Sequence, residues 1–141
     1  QITQYQLLIG ILDAYRKEDF TQAAFLFAGL DTEKLMDIDD GSRVSPNSIY
    51  NELSAKIKQD GPKLLLDKGD EYYGAGDYAN AILYYDKSLA ISPSFVAALY
   101  KKAMAYKLSG DSQSANTIFG DIIINYPDSN EAKLAKTERG Y

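Results

Sequence analysis

The chain has 141 residues, 45% of them hydrophobic and 25% charged, which is enough for one ordinary domain with its own core. It holds no cysteine and no histidine, and this removes disulfides, thiolate nucleophiles, imidazole bases and the usual zinc sites. The net charge of -5 is concentrated in front, with ten acids against six bases in residues 1–61 and ten against nine in 62–141, so no basic patch invites nucleic acid.

Apolar runs such as Leu7 to Leu12 are too short to cross a bilayer, and no direct membrane insertion is expected. The chain opens on Gln1 without a signal-like leader and reads as an excised or processed piece of a larger protein. Tyr5, Leu8, Ile11, Leu12 and Tyr15 recur at helical spacing and predict an amphipathic helix over residues 3–17. From Tyr15, "YRKEDFTQAAFLFAGL" echoes "YGAGDYANAILYYDKSL" from Tyr73: Tyr15 answers Tyr73, Asp19 answers Asp77, Phe20 answers Tyr78 and Ala23 answers Ala81. A degenerate helical hairpin is expected there, with Ile11 where the later unit has Gly69 and no proline to end its second helix.

An insertion follows, "DTEKLMDIDDGSRVSPNSIYNELSAKIKQD", expected to hold a short helix, an acidic loop at Asp37 to Ser45, and a helix from Pro46 capped by Ser45. Ile49, Tyr50, Leu53 and Ile57 would share one face of that helix. Asp37, Asp39, Asp40 and Gly41 suggest calcium, but the glycine comes fifth and Ser48 stands at position twelve, so the stretch reads as a solvated acidic loop. No metal or cofactor is expected. Adjacent carboxylates such as Asp70 and Glu71, or Asp39 and Asp40, point apart on a helix, and no nucleophile, base or cofactor motif stands beside them; an enzyme is not expected.

Asp60-Gly61-Pro62 reads as the start of a new helix, with proline in its first turn. At an interval of 34, Leu65 then pairs with Leu99, Lys68 with Lys102, Tyr72 with Tyr106, Gly76 with Gly110, Asp77 with Asp111, Ala81 with Ala115, Tyr85 with Phe119 and Pro93 with Pro127. Each unit has the spacing of two helices. Gly76 and Gly110 suit the left-handed end of the first, Asp77 and Asp111 cap the second, and Pro93 and Pro127 stop it. Ser92 and Asp128 flank the starts that follow. Ala81 and Ala115 fall where the helices of one hairpin must approach closely, with Tyr85 and Phe119 filling the adjacent hole. The tail "DSNEAKLAKTERGY" predicts a capping helix over 130–139, with Ala132 and Ala135 on one face.

The period and these residues resemble the tetratricopeptide repeat, a helical hairpin with the pattern W-x2-L-G-x2-Y, then A-x3-F, then P. Leu65, Lys68, Gly69, Tyr72, Ala81, Tyr85 and Pro93 take those places in a repeat over 62–95, and Leu99, Lys102, Ala103, Tyr106, Ala115, Phe119 and Pro127 in one over 96–129. Leucine replaces the tryptophan and lysine the next leucine, both times. The resemblance implies an all-α fold of antiparallel hairpins stacked as a short right-handed superhelix. One continuous domain is expected, with 1–61 as degenerate hairpin plus inserted helix, and 62–141 as two repeats and the cap.

It also implies a non-catalytic module that binds an unknown protein or peptide in a concave groove. The groove residues implied are Lys63, Leu66, Asp70 and Tyr73, then Ala97, Tyr100, Lys101, Met104 and Lys107, then Glu131, Leu134 and Glu138. Tyr73, Tyr100 and Met104 would form an apolar strip bordered by both signs of charge, unless residues 1–58 fill it. The clamp with which some members grip a chaperone's terminal carboxylate is absent, since Asp70 and Met104 stand at two of its positions. A spacer or self-associating element, and so a homo-oligomer, is the alternative. "IIINYPDSNEAKLA" is similar to a repeat style of bacterial envelope proteins, and the layout resembles extracytoplasmic segments of membrane-anchored bacterial proteins; the cytoplasm is the other location considered.

Overall fold

A computed structural model describes residues 4–30 and 46–139. The expected short helix after Leu30, the acidic loop at Asp37 to Ser45 and the Ser45 cap lie outside the described residues. Among the described residues there are seven helices and no strand: α1 (Gln4–Arg16), α2 (Phe20–Ala28), α3 (Pro46–Gly74), α4 (Tyr78–Ile91), α5 (Val96–Ser109), α6 (Ser112–Asn125) and α7 (Asn130–Arg139). The fold is all-α, each helix packing on the next, with α2 also meeting α4 and α5 meeting α7.

Three turns share one geometry. Asp19, Asp77 and Asp111 each accept a hydrogen bond from the backbone N–H three residues on, at 3.1, 3.2 and 3.1 Å. Their own N–H groups donate to the carbonyls of Ala14, Tyr72 and Tyr106, each at 2.9 Å. The residue before each aspartate is left-handed: Glu18 at φ 61°, Gly76 at 80° and Gly110 at 99°. Those bonds satisfy helix-end groups that would otherwise lack partners. At Asp111 the hydroxyl and then the N–H of Ser114 hold the carboxyl below its usual range.

Ser92 and Asp128 do lie in the turns before the later starts. Phe95 immediately precedes α5, without a side-chain cap. Ser129 caps α7: its hydroxyl accepts from the Ala132 N–H at 3.0 Å and donates to the Tyr126 carbonyl at 2.7 Å.

The larger correction is at Asp60-Gly61-Pro62. No helix begins there, because α3 runs unbroken through Pro62 for 29 residues and joins the inserted helix to the first helix of the repeat. A proline inside a helix leaves the carbonyl four residues back without its donor; here that carbonyl belongs to Lys58, in the exposed turn 58–60. Packing supplies the opposing term. Gly61 and Pro62 are buried, and a Cβ on Gly61 would sit 3.1 Å from the Ala24 Cβ and 3.4 Å from the Ile91 Cδ1, so α2 and α4 both close on the helix at that point. The buried Ser88 hydroxyl donates to the Pro62 carbonyl at 2.8 Å.

The long helix is therefore the spine between two cores. Leu65 joins a front cluster with Leu8, Ile11, Ala23, Phe27 and Ile57, while its neighbour Leu66 joins a middle cluster with Ala81, Tyr85, Ala98 and Ala105. A rear cluster gathers Ala103, Ala115, Phe119, Ile122, Ala132 and Ala135. Ala81, Tyr85, Ala103, Ala115 and Phe119 are all buried, while Tyr72 and Tyr106 are half-buried. Gly69 explains its identity by distance: an added Cβ would lie 2.6 Å from the Tyr85 Cε1 and 3.2 Å from the Ala81 carbonyl oxygen. Pro93 and Pro127 each stand in the turn just after the second helix of a hairpin.

Candidate functional site

Helices α3 and α5 are the first helices of successive hairpins, bridged by the Asp70–Lys101 ion pair. Between them Tyr73, Tyr85, Tyr100, Lys101 and Met104 line a depression of about 130 Å³. Tyr73, Tyr100 and Met104 are half-buried, so one edge of each meets solvent. Tyr73 is steadied edge-on by Tyr78, ring centroids 5.6 Å apart, and Tyr100 leans on the buried Phe119 at 5.9 Å. Residues before Tyr73 contribute nothing to this lining.

The charges around it are already matched. Asp70 accepts a hydrogen bond from the Tyr85 hydroxyl at 2.6 Å and an ion pair from Lys101 at 3.2 Å, which ties α3, α4 and α5 together at one carboxylate. Lys107 pairs with Glu138, linking α5 to α7. Lys63 pairs with Asp67 at 2.6 Å. Burial, then the bond to Asp70, pushes the Tyr85 hydroxyl far above the ordinary phenol range. Burial also raises Tyr73, with Tyr78 and then Glu138 adding to it, and raises Tyr100, with Glu138 adding to it. These phenols stay neutral at physiological pH.

The residues expected in the groove are thus dispersed. Tyr73, Tyr100, Lys101 and Met104 come together, and Asp70 acts from beneath through Tyr85 and Lys101. Leu66 is corrected: at 5% exposure it is core, because Ala81, Ala98 and Tyr85 close over it. Lys63 lies further forward, Ala97 packs half-buried against the middle cluster, and Leu134 is 49% exposed on α7. Glu131 is half-buried on the same helix. Tyr85 was expected only as a packing residue, yet its ring lines the depression. One signal pointed to it: where the first repeat has Asp70 and Tyr85, the second has Met104 and Phe119, so the polar pair is present or absent together.

A second cavity, of about 440 Å³, opens where the α1–α2 turn meets the middle of α3. Tyr15 and Phe20 form one wall as an edge-on pair 5.3 Å apart, the same arrangement as Tyr73 and Tyr78. Ala23, Ile57, Gly61 and Leu64 form its floor, with Lys56, Asp60 and Lys63 at the rim. No helix among the described residues is long and apolar enough to cross a membrane.

Comparison with known proteins returned no match among the curated proteins or the solved structures. A family model did match: the tetratricopeptide repeat, over residues 72–138, which takes in α4 to α7 and the Asp77 and Asp111 turns. With that match, the 34-residue period, the Ala81/Tyr85 and Ala115/Phe119 packing pairs and the stacked hairpins, residues 72–138 of this chain carry tetratricopeptide repeats.

Proposed function

We propose that the chain is a non-catalytic module that binds an extended protein segment along the face shared by α3 and α5. The tetratricopeptide repeat matched over residues 72–138 supports a protein–protein interaction module in general terms. The finer reading is carried by one observation: Tyr73, Tyr100 and Met104 converge from two helices on one depression and keep solvent-facing edges there. A soluble surface with matched charges and a small apolar centre has the make-up of a modest interface core and rim. The test is partner capture from cell extract by the chain and by a Tyr100→Ala/Met104→Ala variant. Loss of a specific partner by a variant that still melts cooperatively, at a somewhat lower temperature, is the expected outcome; equal capture by both counts against this face.

In this reading the module belongs to a larger bacterial protein of the cell envelope, supported only by the Tyr126-Pro127-Asp128-Ser129 stretch and the order of its units. A structural, self-associating role is the second reading, favoured by Ile124, which stands 76% exposed on α6. Sedimentation velocity across a concentration series decides it, since a species that stays monomeric removes that alternative.

A further inference from the structure

The front cavity and the rear depression open on the same helix. Lys56, Asp60, Lys63, Asp67 and Asp70 follow one another at steps of four, three, four and three residues, which is a single face of α3. The first four are exposed and Asp70 half-buried, so the stripe is uncovered along its length. Lys56, Asp60 and Lys63 edge the front cavity, and Asp70 holds two residues of the rear one, Tyr85 and Lys101. Between the two cavities the stripe is electrically closed, because Lys63 is paired with Asp67 and Asp70 with Lys101.

We infer that the two cavities are two subsites for one extended, uncharged protein segment carrying two apolar anchors. This deepens the proposed function and rests on it. Ten residues separate Lys63 from Tyr73, a span of about 15 Å along a helix. An extended chain covers that in roughly four to five residues at ~3.3 Å each. The front cavity, about 440 Å³ and walled by Tyr15 and Phe20, takes an aromatic anchor; the rear one, about 130 Å³, takes a single aliphatic side chain. Because the cations between them are already matched, an acidic segment or a free carboxylate gains no partner there, and the intervening residues are neutral.

The test uses the whole 141-residue chain and a displayed library of random 12-residue peptides. Enriched peptides are expected to carry an aromatic and an aliphatic residue four to five positions apart, and to bind equally with a free or amidated C-terminus. Moving the anchors to two positions apart is expected to weaken binding at least about tenfold. Gln59→Trp, placed at an exposed rim position, blocks the front cavity, and Met104→Trp blocks the rear; each is expected to lose at least about tenfold, with circular dichroism melting as the check on folding. If Met104→Trp abolishes binding while Gln59→Trp and anchor spacing make no difference, the two-site inference fails and the single-groove reading survives. Selection of acidic peptides with steep salt dependence overturns the inference in the same way. If no peptide is enriched, or neither variant affects those that are, both readings fail. Concentration-dependent self-association that Met104→Trp removes would assign the face to a second copy and overturn the inference.

Discussion

The front hairpin and the two repeats behind it turn alike but pack differently. In all three the aspartate caps the second helix and its N–H returns to a carbonyl five residues back. At the matching positions of the hairpin, however, the buried pair is Ile11 with Phe27 in front, Gly69 with Tyr85 in the first repeat, and Ala103 with Phe119 in the second. The turn needs only one carboxylate and a residue that tolerates positive φ, so it survives while the packing drifts. The pair across the hairpin instead sets how closely two helices approach, and each pair is one solution to filling the same gap.

The sharpest way to break this comparison is to exchange the solutions. Gly69→Ala installs in the first repeat what the second already has. With a Cβ only 2.6 Å from a buried ring and 3.2 Å from the Ala81 carbonyl oxygen, neither neighbour has an easy retreat, and the cost is expected to be about 2–3 kcal/mol by urea denaturation. The converse, Ala103→Gly, meets no clash and should cost about 1 kcal/mol, from lost helix propensity. Equal costs for the two would mean that the hairpins are separated by the same distance and that glycine is incidental.

Next in size is the polar link that the second repeat lacks. Tyr85→Phe copies Phe119 and leaves Asp70 bonded only to Lys101, for an expected loss of about 1 kcal/mol. The pH dependence has a definite sign. The folded-state pKa of Tyr85 is raised above the unfolded value near 10, so its contribution is complete below about pH 10 and is lost as pH rises further. Melting of the parent chain should therefore fall toward that of Tyr85→Phe as the solution becomes alkaline. A gap between them that widens above pH 10 would refute the assignment.

The repeats were legible because their punctuation is local. Gly76-Asp77, Gly110-Asp111, Ala81, Ala115, Pro93 and Pro127 act within a few residues of themselves, so spacing alone revealed two hairpins and the echo in front. What escaped is tertiary. Proline at 62 signals a helix start when only its own neighbourhood is weighed. The forces that keep α3 whole come from Ala24, Ile91 and Ser88, on two other helices. Leu66 was assigned to the groove by its place in the repeat, but whether it is covered depends on Ala98 and Ala105 of the next hairpin. The front cavity left no local signal, since it exists only because the α1–α2 turn meets α3 ten residues before Tyr73.

The smallest expected effect tests the part of the comparison that is shared. Glu18 takes φ 61° where the two repeats use glycine, and a side chain in the left-handed region meets its own following carbonyl at a cost of about 1–2 kcal/mol. Glu18→Gly relieves that contact, but glycine also gives the unfolded chain more freedom to lose on folding. The two terms oppose, and a net stabilisation of about 0.5–1 kcal/mol is expected. Because the change is confined to one turn, amide exchange should slow most at Asp19 and Ala23, whose N–H groups close the turn and begin α2. Stabilisation with that pattern would make the front turn a copy of the other two held at a higher backbone cost. Destabilisation would mean that the Glu18 side chain contributes more than its backbone strain removes, and that the front hairpin keeps the shared geometry by different means.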